Sequence, residues 1–283
     1  MPSWLPTFLI VLLSTASAVV WNRRLRQSSG SAPSSGEESA SDLPTTEADI
    51  AIDAVPSPVV PPGAIVFAGL WILYHFLLDI SAMFGTAPAP AFDPDRTLQA
   101  MQQTCGLLAA GAGVGWMLLT RGEHSQFRAF GARSDGLALQ LRNGLLTVTA
   151  AWLPVFVVIL ATLPLRTAER QHSVFQLLAV RSSLEIYVWA VLSAVVVAPL
   201  FEELLFRVIL QTSFERFIGR AAIPVAAIIF AAVHGFPDSL AIVPLALVLG
   251  DAYQRRRSYW EVVAAHALFN AVMLALDAAM PHG

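Results

Sequence analysis

Two adjacent carboxylates, Glu202 and Glu203, and a guanidinium, Arg207, sit inside an apolar helical stretch running from Trp189 to Leu210. A charged side chain at membrane depth costs at least ~2.5–3.5 kcal/mol on insertion scales, so three within six residues read first as a functional site. His234 and His266 stand in apolar segments further along, and Asn270 follows His266 by four residues. A carboxylate grouped with imidazoles can take a proton from water or hold a divalent metal. An imidazole and an amide four apart on one helix face can hold a water, a metal or a developing oxyanion.

Helical spacing divides the three charges. Residues four apart share a face, so Arg207 is placed to pair with Glu203. Glu202 is rotated from that pair by about 100° and left for other work. A buried Glu–Arg pair locking two helices accounts for Glu203 and Arg207. It does not account for Glu202.

The elements that must position these residues are membrane helices. Of the 283 residues 56% are hydrophobic and 13% charged, and mean hydropathy is +0.63. A soluble domain carries about a quarter charged residues. Apolar runs of spanning length occur at 4–20, 63–84, 98–120, 143–165, 183–210, 221–236, 239–253 and 260–280, the sixth and seventh shortened by Gly235, Pro237 and Pro244. The fold class this predicts is all-α, a polytopic membrane helical bundle of about eight transmembrane helices with an intramembrane polar site.

Every basic residue is arginine, and there is no lysine. If the loop after the first span is cytoplasmic, twelve arginines fall in cytoplasmic loops and four (Arg96, Arg166, Arg170, Arg181) in external ones. The positive-inside rule then puts both termini outside. Thr15-Ala16-Ser17-Ala18 is similar to a signal-peptidase site, but the arginines follow the apolar run, which favours an uncleaved reverse anchor. Three regions result: an N-terminal transmembrane anchor at 1–26, a disordered acidic linker at 27–62 rich in Ser, Pro and Ala, and a membrane-embedded helical domain at 63–283 with the polar core at about 180–275. Single arginine clusters are too small to argue nucleic-acid binding; Arg255, Arg256 and Arg257 read as a topology anchor touching lipid headgroups.

With cytoplasmic ends near residues 213, 221 and 258 and a rise of ~1.5 Å per residue, Glu202, His234 and His266 lie about 16, 19 and 12 Å deep. They share one level, expected to open toward the cytoplasm. Among the other polar residues, His75 and Asp79 are placed to hydrogen-bond each other. Glu185, Asp251, Glu261 and Asp277 fall near helix ends, where solvation or snorkelling suffices. Cys105 reads as a packing residue.

The series Glu202-Glu203-x-x-x-Arg207, Phe230-x-x-x-His234 and His266-x-x-x-Asn270 on successive helices resembles the CAAX-protease and bacteriocin-processing family of intramembrane endopeptidases, which includes the type II prenyl-protein endopeptidases. Leu249-Gly250-Asp251-Ala252-Tyr253-Gln254-Arg255 is similar to the family's connection before the last helix. The resemblance implies that Glu202 activates water with His234 assisting, that His266 and Asn270 polarise the scissile carbonyl, and that Glu203 and Arg207 support them. It leaves two cofactor readings open, a zinc ion held by Glu202, His234 and His266, or no metal, the latter slightly favoured. It implies hydrolysis of a peptide or protein substrate reaching the site from the cytoplasmic side, in a multi-pass protein of a bacterial inner membrane. A non-catalytic immunity or scaffold protein retaining the fold is the alternative. A transporter is the weaker third reading, since broken helices near Gly235 and Pro244 come without a visible repeat.

Overall fold

A computed structural model of the chain describes residues 5–29, 58–84, 92–121, 124–165, 173–181 and 183–279. Most of the predicted linker, and the side chain of Asp79, lie outside the described residues. Among those residues every element is helical: α1 (Leu5–Ser29), α2 (Pro62–Phe84), α3 (Pro94–Thr120), α4 (His124–Ala129), α5 (Leu137–Thr162), α6 (Ser173–Val180), α7 (Leu184–Ala190), α8 (Ala198–Glu203), α9 (Thr212–Ile218), α10 (Ala222–Ala232), α11 (Asp238–Arg256) and α12 (Tyr259–Ala279). The described parts of the eight apolar runs read from the sequence are mostly helix, the sixth leaving it after Ala232, just before His234. Four stretches are long and apolar enough to cross a membrane by length and composition: Pro94–Thr120, Leu137–Leu165, Leu184–Ala232 and Tyr259–Ala279, with Pro62–Leu78 a shorter apolar helix. The protein is an all-α membrane helical bundle.

Leu184–Ala232 is the unusual stretch, 49 residues of successive helical segments. Two π-helical segments, Val191–Val197 and Leu204–Gln211, interrupt it and leave α8 between them as a short α-helical piece. It turns back at Gly219, whose φ of 55° suits a residue without a side chain. The α3 helix lies against this stretch through Gly111 and Gly115. A Cβ on Gly111 would stand 2.7 Å from the Phe201 ring, and one on Gly115 would stand 2.9 Å from Leu204. Small residues four apart let membrane helices approach closely.

Proline explains how α1 is attached. Pro154 inside α5 has no N–H, so the carbonyl of Ala150, four residues back, loses its helical donor. Two side chains of α1 replace it: Trp21 Nε1 donates to Ala150 O at 2.8 Å and Ser17 Oγ at 3.3 Å. Ser17 Oγ also accepts from Leu153 N at 3.1 Å. In lipid a freed backbone group must find such a partner within the protein. The Ser17 hydroxyl of the cleavage-like stretch is therefore buried in a helix–helix contact.

The end of the bundle where α11 meets α12 is held by ion pairs and backbone contacts. Glu261 is fully buried and accepts from Thr147 Oγ1 at 2.9 Å and Arg256 Nε at 2.6 Å. The sequence reading of Glu261 as a helix-end residue served by solvent is thus corrected: its partner lies across the break at Arg257, where φ is 44°. Ser258 caps the Glu261 amide and donates to Gln140, which itself donates to the carbonyls of Arg133 and Asp135. Gly131 brings its backbone against this corner; Tyr259 N donates to its carbonyl at 3.1 Å.

Candidate active site

The two π-helical segments bracket Glu202 and Glu203, and π-bulges recur at functional sites because the extra residue re-aims side chains. The first one leaves a carbonyl to satisfy. Ala198 N–H reaches back five residues to Ser193 O. In that register Ala194 O would be served by residue 199, which is a proline. Asn270 Nδ2 donates to Ala194 O instead, at 2.7 Å. Asn270 thus has one N–H engaged in holding the turn and a second left over. At the other end Tyr259 Oη donates to Leu200 O at 2.6 Å. Two side chains of α12 therefore pin the helix that carries the carboxylates.

Glu203 and Arg207 are fully buried and pair as the spacing predicts, Arg207 Nε standing 3.1 Å from Glu203 Oε2. The contact is an ion pair without a directed hydrogen bond, and none of the three guanidinium nitrogens has a hydrogen-bond partner among the described residues. The guanidinium lies 4.8 Å over the Phe230 ring, a cation–π contact. Phe230 is the residue whose role the sequence reading missed. Besides carrying Arg207, its ring meets Phe206, His234 and His266 with centroids 4.9, 4.7 and 5.8 Å away. Its only sequence signal is its place four residues before His234.

The imidazoles are tethered through Nδ1. His266 Nδ1 lies 2.8 Å from Glu203 Oε1, and His234 Nδ1 lies 2.7 Å from Phe230 O. Each Nδ1–H donates to its oxygen and leaves Nε2 facing Glu202. Glu202 Oε2 is 3.8 Å from Nε2 of His234 and 3.8 Å from Nε2 of His266. Glu202, His234, His266 and Asn270 all line one partly open cavity of about 350 Å³, while Glu203 and Arg207 stand behind it. Glu202 and His234 keep 20% and 26% of their side-chain surface, enough for water to reach them, whereas His266 keeps 4%.

By donor type, two tethered imidazoles and a carboxylate suit zinc, and partners on the far ring nitrogens are the usual support of histidine ligands. By spacing they are not gathered: among the described residues no group of three His, Cys, Asp or Glu side chains is close enough to hold an ion.

The cavity occupies one half of the bundle. Its upper walls come from Ile159 near the end of α5, Phe175 of α6, Asp238 at the start of α11 and Leu274 toward the end of α12. These helix ends lie opposite the Arg256–Glu261 corner, so the void runs away from the arginine-rich end.

Fold and site together define a polytopic helical membrane protein with a carboxylate–imidazole cluster at the floor of an intramembrane cavity. Residues 184–272 match the family described as type II CAAX prenyl endopeptidase Rce1-like, the kinship that the four motifs suggested. The chain is also 36% identical over 78 residues to the "UPF0177 protein in abiGi 5'region" of Lactococcus lactis subsp. cremoris, covering 27% of this chain and 33% of that one. The chain thus spans about a third of the length of the curated relative it matches. No solved structure matches it.

Proposed function

We propose that this chain is an intramembrane endopeptidase in which Glu202, assisted by His234, activates the water that cleaves a peptide bond. The observation that carries the reading is the position of Glu202 Oε2, 3.8 Å from two imidazole nitrogens at the floor of a cavity. That spacing is too long for a direct hydrogen bond and suits a water held between the groups. Glu202 takes a proton from that water, and the hydroxide adds to the scissile carbonyl. Developing charge on the carbonyl oxygen meets His266 Nε2–H and the spare N–H of Asn270. Glu203 makes this possible by accepting from His266 Nδ1. Arg207 offsets the charge of Glu203 in a setting where net charge is expensive. Glu202 then returns its proton to the leaving amine.

The tethered Nδ1 atoms also favour a second reading, in which Glu202, His234 and His266 hold a zinc ion that would supply Lewis-acid polarisation of the carbonyl. Neither reading involves nucleic acid. The setting proposed for both is the inner membrane of a bacterium, with lipid around the bundle and a peptide or protein as substrate.

The test is cleavage of a peptide library by detergent-purified protein, before and after thorough chelation, with Glu202→Gln alongside. Cleavage that survives chelation and disappears in Glu202→Gln supports the metal-free reading. Loss on chelation with recovery on adding zinc transfers support to the second. Cleavage by Glu202→Gln at the wild-type rate overturns both.

A further inference from the structure

The arginines and the cavity occupy opposite ends of the bundle. Arg24, at the end of α1, is within electrostatic reach of Asp251, Arg255, Arg256 and Glu261. Arg220 pairs with Asp251 at 3.6 Å, and Arg257 pairs with Glu215. The segment after α4 reaches the same corner, Phe130 O accepting from Tyr253 Oη at 3.2 Å. One physical face thus gathers the arginines of α1, of the α4–α5 region, of the α9–α10 turn and of the α11–α12 corner. The positive-inside rule makes that face cytoplasmic.

The cavity belongs to the other half of the same helices. Glu202, His266 and Phe230 form its floor at mid-bundle. From there Val155, Ile159, Ile242 and Met273 line walls that are mostly apolar. The charged residue among the lining groups at its outer end is Asp238. On this face Arg96 and Arg181 are each engaged by an acid, Asp93 and Asp95 respectively. The exposed Glu185 adds a further negative charge.

We propose that the site is reached from the non-cytoplasmic side, and that its substrate is an apolar segment of an exported peptide. Apolar walls accept the side chains beside the scissile bond. The substrate rests on the peptidase reading; the direction of access does not.

The experiment has two arms on the full chain in its membrane. In a Cys105→Ser background, Ser239→Cys marks the first turn of α11 and Ser134→Cys marks the arginine-rich face. A membrane-impermeant maleimide is expected to label Ser239→Cys on intact spheroplasts and Ser134→Cys only after lysis. The reverse pattern overturns the proposal. In the second arm an impermeant fluorogenic peptide with an apolar segment is given to right-side-out and to inverted vesicles. Cleavage by right-side-out vesicles supports the proposal, and cleavage by inverted vesicles alone overturns it. Cleavage by neither, when the library in detergent is also uncut, overturns the peptidase reading and the proposed substrate with it, while the labelling still decides the direction of access.

Discussion

Two buried carboxylate–arginine clusters, built from similar residues, are finished differently. At the α11–α12 corner, Glu261 receives Thr147 and two nitrogens of Arg256, its own amide is capped by Ser258, and Ser258 continues to Gln140. Around α8, among the described residues, Glu203 is shared between His266 and an Arg207 with no directed hydrogen bond, and Glu202 faces the two imidazoles at 3.8 Å. Buried polar groups are nearly always satisfied, so an incompletely satisfied cluster beside a cavity calls for an explanation the saturated one does not. The corner closes on itself and secures the fold. The site stays open to something that must still arrive.

Breaking the closed cluster has the larger effect on stability. Glu261→Gln leaves Arg256 without its counter-charge and is expected to destabilise by about 3 kcal/mol, the low end for a broken buried pair because Arg256 can turn partly to water. Thermal unfolding in detergent reads this, with cleavage by the remaining folded protein unchanged. Asn270→Ala comes next. It strands the Ala194 carbonyl and is expected to lose about 1–3 kcal/mol. Adding Pro199→Ala restores an N–H at the position that the π register leaves empty, so stability returns. If Asn270 also serves the oxyanion, cleavage does not return, which separates its two duties. Ser17→Ala is the smallest, about 1 kcal/mol, since Trp21 still serves Ala150 O. Pro154→Ala in that background should abolish the difference in melting temperature.

These contrasts also mark how far the sequence was readable. The Glu203–Arg207 pair was legible because it needs only a four-residue spacing inside one helix, and it survives although the backbone around Arg207 is π-helical. The helices were legible from apolar runs alone, and the site segment from four motifs in order. Asn270's bond to Ala194 was not, since it exists only because a π register meets Pro199. Glu261 was misjudged because Arg256 reaches it across a helix break, where periodicity stops being informative. Depth from a constant rise placed Glu202, His234 and His266 at one level. It carried no information about which side of that level is empty. Space is set by how side chains of different helices pack, which a single chain's periodicity does not encode.

The most direct measurement takes cleavage rate and melting temperature from the same detergent sample of Glu202→Gln. The open cluster predicts a fall in cleavage of about 10²–10⁴-fold, the usual worth of a positioned general base, with the melting temperature unchanged or raised. A wild-type cleavage rate, or a melting temperature lowered as far as that of Glu261→Gln, would contradict it.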